Sequence, residues 1–271
     1  MKLNLGQWEQ LKTLAIEASK QTLTYFKTDL AVEYKRDNSP LTEADRASHQ
    51  CIVHGLKALT PDIPIVSEES ALPPYSERKS WSTYWLIDPL DGTKEFVKGV
   101  PEYTVNIALI QDGVPCLGIV TIPCQERIYW AGRGLGSYFS PFGGEGTGLK
   151  IGSNAGNSPL RFAISRSHPD PQMTQFLDQF EDKEIIRLGS ALKFCKVAEQ
   201  AVDLYVRMGP IMEWDTAAAQ VVVEQAGGTV WDWSGNPLKY NKETPTHSGF
   251  LVAANDELAQ HCIAVRQKLQ A

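Results

Sequence analysis

The sequence predicts an α/β protein. Three observations carry that prediction: helical periodicity over residues 8–59, β-rich runs between residues 103 and 142, and strands alternating with helices from residue 162 onward. With 271 residues, 42% hydrophobic and 21% charged, the chain is long enough for a large core in one domain or two smaller ones.

Trp8, Leu11, Leu14, Ala15, Ala18 and Phe26 recur at helical spacing and predict an amphipathic first helix. Asp37-Asn38-Ser39-Pro40 is a breaker. A second helix starts near Thr42, with Cys51, Ile52, Gly55, Leu56 and Leu59 on its inner face, and ends between Pro61 and Pro64. Ile65-Val66 is a short strand running into Ser67-Glu68-Glu69, and residues 84–87 form the next.

Residues 104–110, 114–122 and 127–130 are β-rich and separated by turn signals, which predicts a largely antiparallel meander. The Gly-rich segment 143–148 lacks the Lys-Ser/Thr ending of a phosphate-binding loop and reads as a linker. It divides the chain into an N-terminal α+β part, 1–148, and a C-terminal α/β part, 149–271. In the second part strands are predicted at 162–165, 184–188, 204–207, 229–233 and 250–253. Helices are predicted at 172–180, 191–201, 215–225 and 256–269.

The net charge is −6 and no long basic run is present, which argues against a nucleic-acid partner. No apolar run reaches the roughly 18 residues of a membrane span, so no transmembrane segment is expected. The start lacks a signal-peptide core, and the five scattered cysteines form no Cys-x-x-Cys pair. Reduced thiols and a cytoplasmic location follow as expectations.

Chemistry is concentrated in Trp85-Leu86-Ile87-Asp88-Pro89-Leu90-Asp91-Gly92-Thr93-Lys94-Glu95-Phe96. An apolar strand there runs into two aspartates three apart, followed at once by Gly-Thr. Hard carboxylates on a tight turn suit a hard divalent cation such as Mg²⁺, and Thr93 adds a hydroxyl beside it. Further acids stand where elements begin or end: Asp45 in the first turn of a helix, Glu68 and Glu69 after a strand, and Asp215 where another helix starts. Carboxylates that converge repel one another unless cations neutralise them. Two ions ~3.5–4 Å apart can activate a water and stabilise the leaving oxygen of a phosphate ester.

Each acid also has an ordinary reading. Asp45 and Asp215 can cap helices, Glu68-Glu69 can be a solvated pair, and Asp88-Pro-Leu-Asp91-Gly can be a turn. Their joint occurrence favours the metal. For an anionic ligand the candidate cations are Arg166 and His168, just after a predicted strand, with Lys193 and Lys94.

Asp88-Pro89-Leu90-Asp91-Gly92-Thr93, with Trp214-Asp215-Thr216-Ala217-Ala218 and Ala226-Gly227-Gly228, resembles the two motifs of the inositol monophosphatase superfamily of Mg²⁺-dependent, Li⁺-inhibited phosphatases. Within it, Asp91-Gly-Thr-Lys-Glu-Phe96, Ile164-Ser165-Arg166-Ser167-His168 and Gly189-Ser190-Ala191-Leu192-Lys193 are similar to the CysQ-type 3′(2′),5′-bisphosphate nucleotidases. The resemblance implies a layered αβαβα sandwich of the inositol monophosphatase/fructose-1,6-bisphosphatase type. It implies that Glu68, Asp88, Asp91, Asp215 and the Leu90 carbonyl ligate two or three Mg²⁺ ions, and that Asp45 and Thr93 activate the attacking water. It further implies a substrate site of Gly92, Thr93, Lys94, Ser165, Arg166, His168, Gly189, Ser190, Lys193 and Asp215.

The implied activity is removal of the 3′-phosphate from adenosine 3′,5′-bisphosphate, with the phosphosulfate analogue as a further substrate, in sulfur assimilation. The implied protein is a monomer or homodimer whose partner is a small nucleotide. The alternative within the enzyme class is an inositol or other sugar monophosphatase, against which Lys94-Glu95 and residues 165–168 count. A non-catalytic metal-binding scaffold is disfavoured by the intact set Asp45, Glu68, Asp88, Asp91, Thr93 and Asp215.

Overall fold

Helix α1 (Leu5–Tyr25) begins at a reciprocal cap: Asn4 Oδ1 accepts the Gln7 N–H at 2.9 Å, and Gln7 Oε1 accepts the Asn4 N–H at 3.0 Å. A computed structural model describes residues 4–28, 32–34, 40–152, 159–167 and 170–270; Asp37, Asn38, Ser39 and His168, singled out in the sequence, lie outside them. Two-residue strands β1 (Glu33–Tyr34) and β2 (Pro40–Leu41) pair antiparallel and lead into α2 (Glu43–Leu59).

The first sheet is built from β3 (Ile65–Ser67), β4 (Thr83–Asp91), β5 (Thr104–Gln111), β6 (Val114–Ile122), β7 (Arg127–Gly132), β8 (Gly136–Pro141) and β9 (Thr147–Leu149), in that spatial order. The short helices α3 (Tyr75–Arg78) and α4 (Thr93–Val97) flank β4. β3 and β4 are parallel and every later neighbour is antiparallel, so the predicted meander is present and longer than expected. The Gly-rich segment expected to be a loop ends in a strand: Thr147 and Gly148 pair with Phe139 and Tyr138. Glycine carries no side-chain signal for a strand, so backbone pairing there is invisible to periodicity.

The second half contains β10 (Leu160–Ser165), α5 (Pro171–Leu177), β11 (Lys183–Leu188), α6 (Leu192–Ala198), β12 (Leu204–Arg207) and β13 (Ile211–Met212). It continues with α7 (Ala217–Ala226), β14 (Thr229–Trp231), β15 (Thr246–His247), β16 (Phe250–Ala253) and α8 (Asp256–Gln270). The second sheet has the order β11-β10-β12-β16-β14, while β13 and β15 pair apart from it. β10, β11 and β12 are parallel, and β16 is antiparallel to both its neighbours.

Among the described residues, three of four apolar cores hold five layers together. Leu11, Ala15, Ile52 and Leu56 of α1 and α2 pack on Trp85, Ile87, Val105 and Ile107 of the first sheet. The opposite face of that sheet, with Leu86, Ala108 and Val120, meets α6 and α7, which in turn cover Ala163, Tyr205 and Val252 of the second sheet. Phe162, Leu204 and Leu251 on the far face bury α5 and α8 through Phe176, Leu258 and Cys262. Alternation along each strand therefore produces the expected αβαβα stack. All five cysteines are free, and among the described residues no helix is long and apolar enough to cross a membrane.

Candidate active site

β4 is buried from Tyr84 to Leu90, and its C-terminal end is irregular. Asp88 pairs with Asn106 and Asp91 with Thr104, so three steps along β4 oppose two along β5. Side chains three apart on a regular strand face opposite sides; the one extra residue of this bulge brings both aspartates to the same side. Both line a cleft of about 640 Å³ between the two sheets. Gly92 then takes φ +95° and turns the chain into α4, a conformation that favours glycine.

Glu68 follows β3, the parallel neighbour of β4, and its N–H donates to Ile87 O at 3.2 Å. Asp215 comes from the other half, in the turn Glu213–Asp215 that precedes α7. That turn is fixed independently: Glu213 is buried and accepts the N–H groups of Asn241 and Lys242 at 2.8 and 3.2 Å. One carboxylate oxygen each of Glu68, Asp88 and Asp215 lies within 4.8 Å of the others.

These acids are electrostatically unfavourable as they stand. Asp88 Oδ1 accepts the Leu90 N–H at 3.0 Å, but its Oδ2 is buried and finds no donor among the described residues. Burial, then the charges of Glu68, Asp91 and Asp215, raise the Asp88 carboxyl well above its ordinary range. Asp215 is raised by burial and by Asp91 and Glu68. Burial pushes Asp91 up to about 6, against the pull of Lys193 and of the Ala191 N–H, which donates at 2.6 Å. An unpaired buried acceptor costs about 1–3 kcal/mol, and more when charged. Hard divalent cations neutralise such a group, and an all-oxygen donor set is the one Mg²⁺ takes. The residues fit the ion.

Thr93 opens α4, its Oγ1 donating toward Asp45 Oδ1 at 3.4 Å and Leu90 O at 3.3 Å. Asp45 is buried behind it, near the start of α2. Its Oδ2 accepts the Thr42 N–H at 2.8 Å and the Thr42 hydroxyl at 2.6 Å. The helix-capping reading and the catalytic reading are thus both available to one carboxylate, which caps with one oxygen and faces Thr93 with the other.

Cations line the same cleft. Lys193 is buried, its Nζ donating to Ser190 O at 2.7 Å and Leu188 O at 3.3 Å and lying 5.0 Å above the Tyr205 ring. Burial lowers its pKa to about 8, opposed by Asp91 and Glu95. Lys94, Ser165 and Ser190 also line the cleft. So does Arg207, a residue that sequence reasoning missed. Its Nη2 donates to Pro210 O at 2.9 Å, while its buried Nε finds no acceptor among the described residues. The criterion that selected Arg166, a cation at the end of a strand, would have found Arg207 at the end of β12.

Arg166 itself is turned elsewhere. Its guanidinium makes two bonds to Glu102, at 2.8 and 2.7 Å, and it does not line the cleft. Gly189 likewise gives its N–H to Glu102 at 2.8 Å.

The model of the inositol monophosphatase family matches residues 7–271. A Salmonella typhimurium protein named 3′(2′),5′-bisphosphate nucleotidase CysQ is 43% identical over 247 residues, covering 90% of this chain and 98% of that protein. A protein of the same name from Escherichia coli strain K12 is 45% identical over 220 residues, covering 81% of this chain and 87% of that one. Among solved structures, CysQ from Bacteroides thetaiotaomicron, described as a bacterial member of the inositol monophosphatase family, superposes with a TM-score of 0.79 at 35% identity. That match covers 91% of this chain and 97% of the other. A Thermotoga maritima IMPase superposes with a TM-score of 0.81 at 25% identity, covering 97% and 98%.

Proposed function

The chain belongs to the inositol monophosphatase family, and from that premise we propose that it is a metal-dependent phosphatase that converts adenosine 3′,5′-bisphosphate to AMP and phosphate. The observation that carries this reading is the division of one cleft into an acidic wall and a wall bearing Lys193 and Arg207. A phosphate monoester needs only the acidic wall and its cations. A nucleoside bisphosphate uses both. Relatives that are 33–46% identical over most of the chain and are named bisphosphate nucleotidases support the same substrate class.

In this reading Glu68, Asp88, Asp91 and Asp215, with the Leu90 carbonyl, would hold two or three Mg²⁺ ions, and Li⁺ would inhibit the enzyme. When bound, the ions acidify the attacking water and neutralise charge developing on the phosphate. Thr93 Oγ takes a proton from that water as it passes its own to Asp45, whose second oxygen is pinned by Thr42. The water oxygen bonds to phosphorus as the bond to the ribose O3′ breaks, and O3′ leaves protonated by solvent. No covalent phospho-enzyme forms. Lys193 and Arg207, the cations that line the cleft beside Lys94, hold the 5′-phosphate through their charge. Free thiols at all five cysteines suit a reducing compartment such as the cytoplasm.

Product identity tests the assignment. Adenosine 3′,5′-bisphosphate incubated with the protein and Mg²⁺ should yield adenosine 5′-phosphate. Adenosine 3′-phosphate as the product would reverse the orientation and reject the roles given to Lys193 and Arg207.

A further inference from the structure

The cationic wall is held in place partly from the acidic side. Glu102 lies between α4 and β5, in the first half of the chain. Its Oε2 accepts the Gly189 N–H and Arg166 Nε, each at 2.8 Å, while Oε1 accepts Arg166 Nη2 at 2.7 Å. Arg166 Nη2 also donates to Arg187 O at 2.7 Å. One carboxylate therefore grips the ends of β10 and β11 together.

The turn it grips leads straight to the cleft. A Cβ on Gly189 would lie 2.5 Å from Glu102 O and 2.9 Å from Glu95 Cγ, so only glycine allows this approach. Ser190 follows at φ +46°, and the Ala191 N–H reaches Asp91. Leu188 and Ser190 on either side of Gly189 supply the carbonyls that hold the Lys193 ammonium. A second strap runs alongside, from Ser167 Oγ to Glu95 Oε1 at 2.5 Å.

We propose that Glu102 is a positioning residue that sets the spacing between the acidic wall and Lys193, and so selects ligands carrying a second phosphate. The proposal rests on the bisphosphate reading above. Its logic is geometric: a monoester of adenosine contacts mainly the acidic wall, whereas a bisphosphate must span both. Arg166 contributes less than its two bonds suggest, because its side chain is 41% exposed and exposed ion pairs are weak. The bond to the Gly189 N–H comes from a carboxylate only 15% exposed and acts directly on the turn.

The test is the preference ratio, kcat/KM for adenosine 3′,5′-bisphosphate over kcat/KM for adenosine 3′-phosphate, with Mg²⁺. Glu102→Ala should lower the ratio at least tenfold, chiefly through KM for the bisphosphate. Arg166→Ala, which leaves the Gly189 acceptor in place, should lower it less. Glu102→Gln keeps one acceptor oxygen and the side-chain volume, and should fall between wild type and Glu102→Ala even if the alanine variant folds poorly. Equal loss on both esters, or a ratio that survives loss of Glu102 but collapses with Arg166→Ala, overturns the proposal. The wild-type ratio is measured first: no preference for the bisphosphate overturns the functional reading together with this one, whereas a preference that survives Glu102→Ala overturns this one alone.

Discussion

Asp88 and Asp91 stand three apart on β4 yet open onto the same cleft, because a one-residue bulge against Asn106 and Thr104 resets the pleat between them. The Pro89-Leu90 pair is the spacer that brings two carboxylates of one strand end onto the same cleft.

Asp91→Asn should remove phosphate release by at least about a hundredfold, since cation stabilisation of such reactions is worth several kcal/mol. The far-ultraviolet circular dichroism spectrum should be unchanged. Near-normal turnover in this variant would rule out a metal role for Asp91.

Under the proposed function Thr93 and Asp45, in contact at 3.4 Å, form one proton path. Either Thr93→Val or Asp45→Asn should lower kcat by about 10²–10⁴, the usual range for lost general-base catalysis. The double variant should be little worse than the poorer single one, because both changes remove the same step. Multiplying effects would separate the two residues.

Metal and pH should act together on stability. Asp88, Asp91 and Asp215 have folded-state pKa values above those of an unfolded chain, Asp91 at about 6. Between pH ~4 and ~6 the metal-free folded state holds more protons than the unfolded one, so its stability falls as pH rises through that window. Mg²⁺ bound to the ionised acids should reverse the loss. Thermal melting with Mg²⁺ against a chelator should show a larger Tm increment at pH 7.5 than at pH 5. Asp88→Asn should raise the Tm of the metal-free protein and shrink the Mg²⁺ increment. An increment independent of pH would contradict the cluster.

Lys193 should impose an alkaline limit on bisphosphate binding. With a pKa lowered to about 8 by burial, its ammonium loses charge as pH rises through that value, and KM for the bisphosphate should rise above pH ~8. KM for a 3′-monoester should not follow. Lys193→Met should raise the bisphosphate KM at every pH and flatten the profile, and a profile that keeps its shape in this variant would assign the titration elsewhere.

The acids that converge on this cleft were readable in the chain because Glu68, Asp88, Asp91 and Asp215 stand at element ends, where they interrupt otherwise apolar or helical patterns. The layered fold was legible for a related reason: strand and helix periods are local properties, and the three cores simply join faces already patterned. What stayed hidden was long-range. Nothing local distinguishes Arg166, which is paired with Glu102 some 64 positions earlier, from Arg207, which enters the cleft. The short strand β9 was hidden because backbone pairing of glycines leaves no side-chain pattern. The bulge left only an odd spacing, whose meaning depends on the partner strand.

The most direct measurement compares kcat/KM of the purified protein, with Mg²⁺, on adenosine 3′,5′-bisphosphate and on inositol 1-phosphate. Faster turnover of the bisphosphate, abolished by a chelator and restored by Mg²⁺, is the expected result. Faster turnover of inositol 1-phosphate would contradict the assignment of Lys193 and Arg207 to a second phosphate.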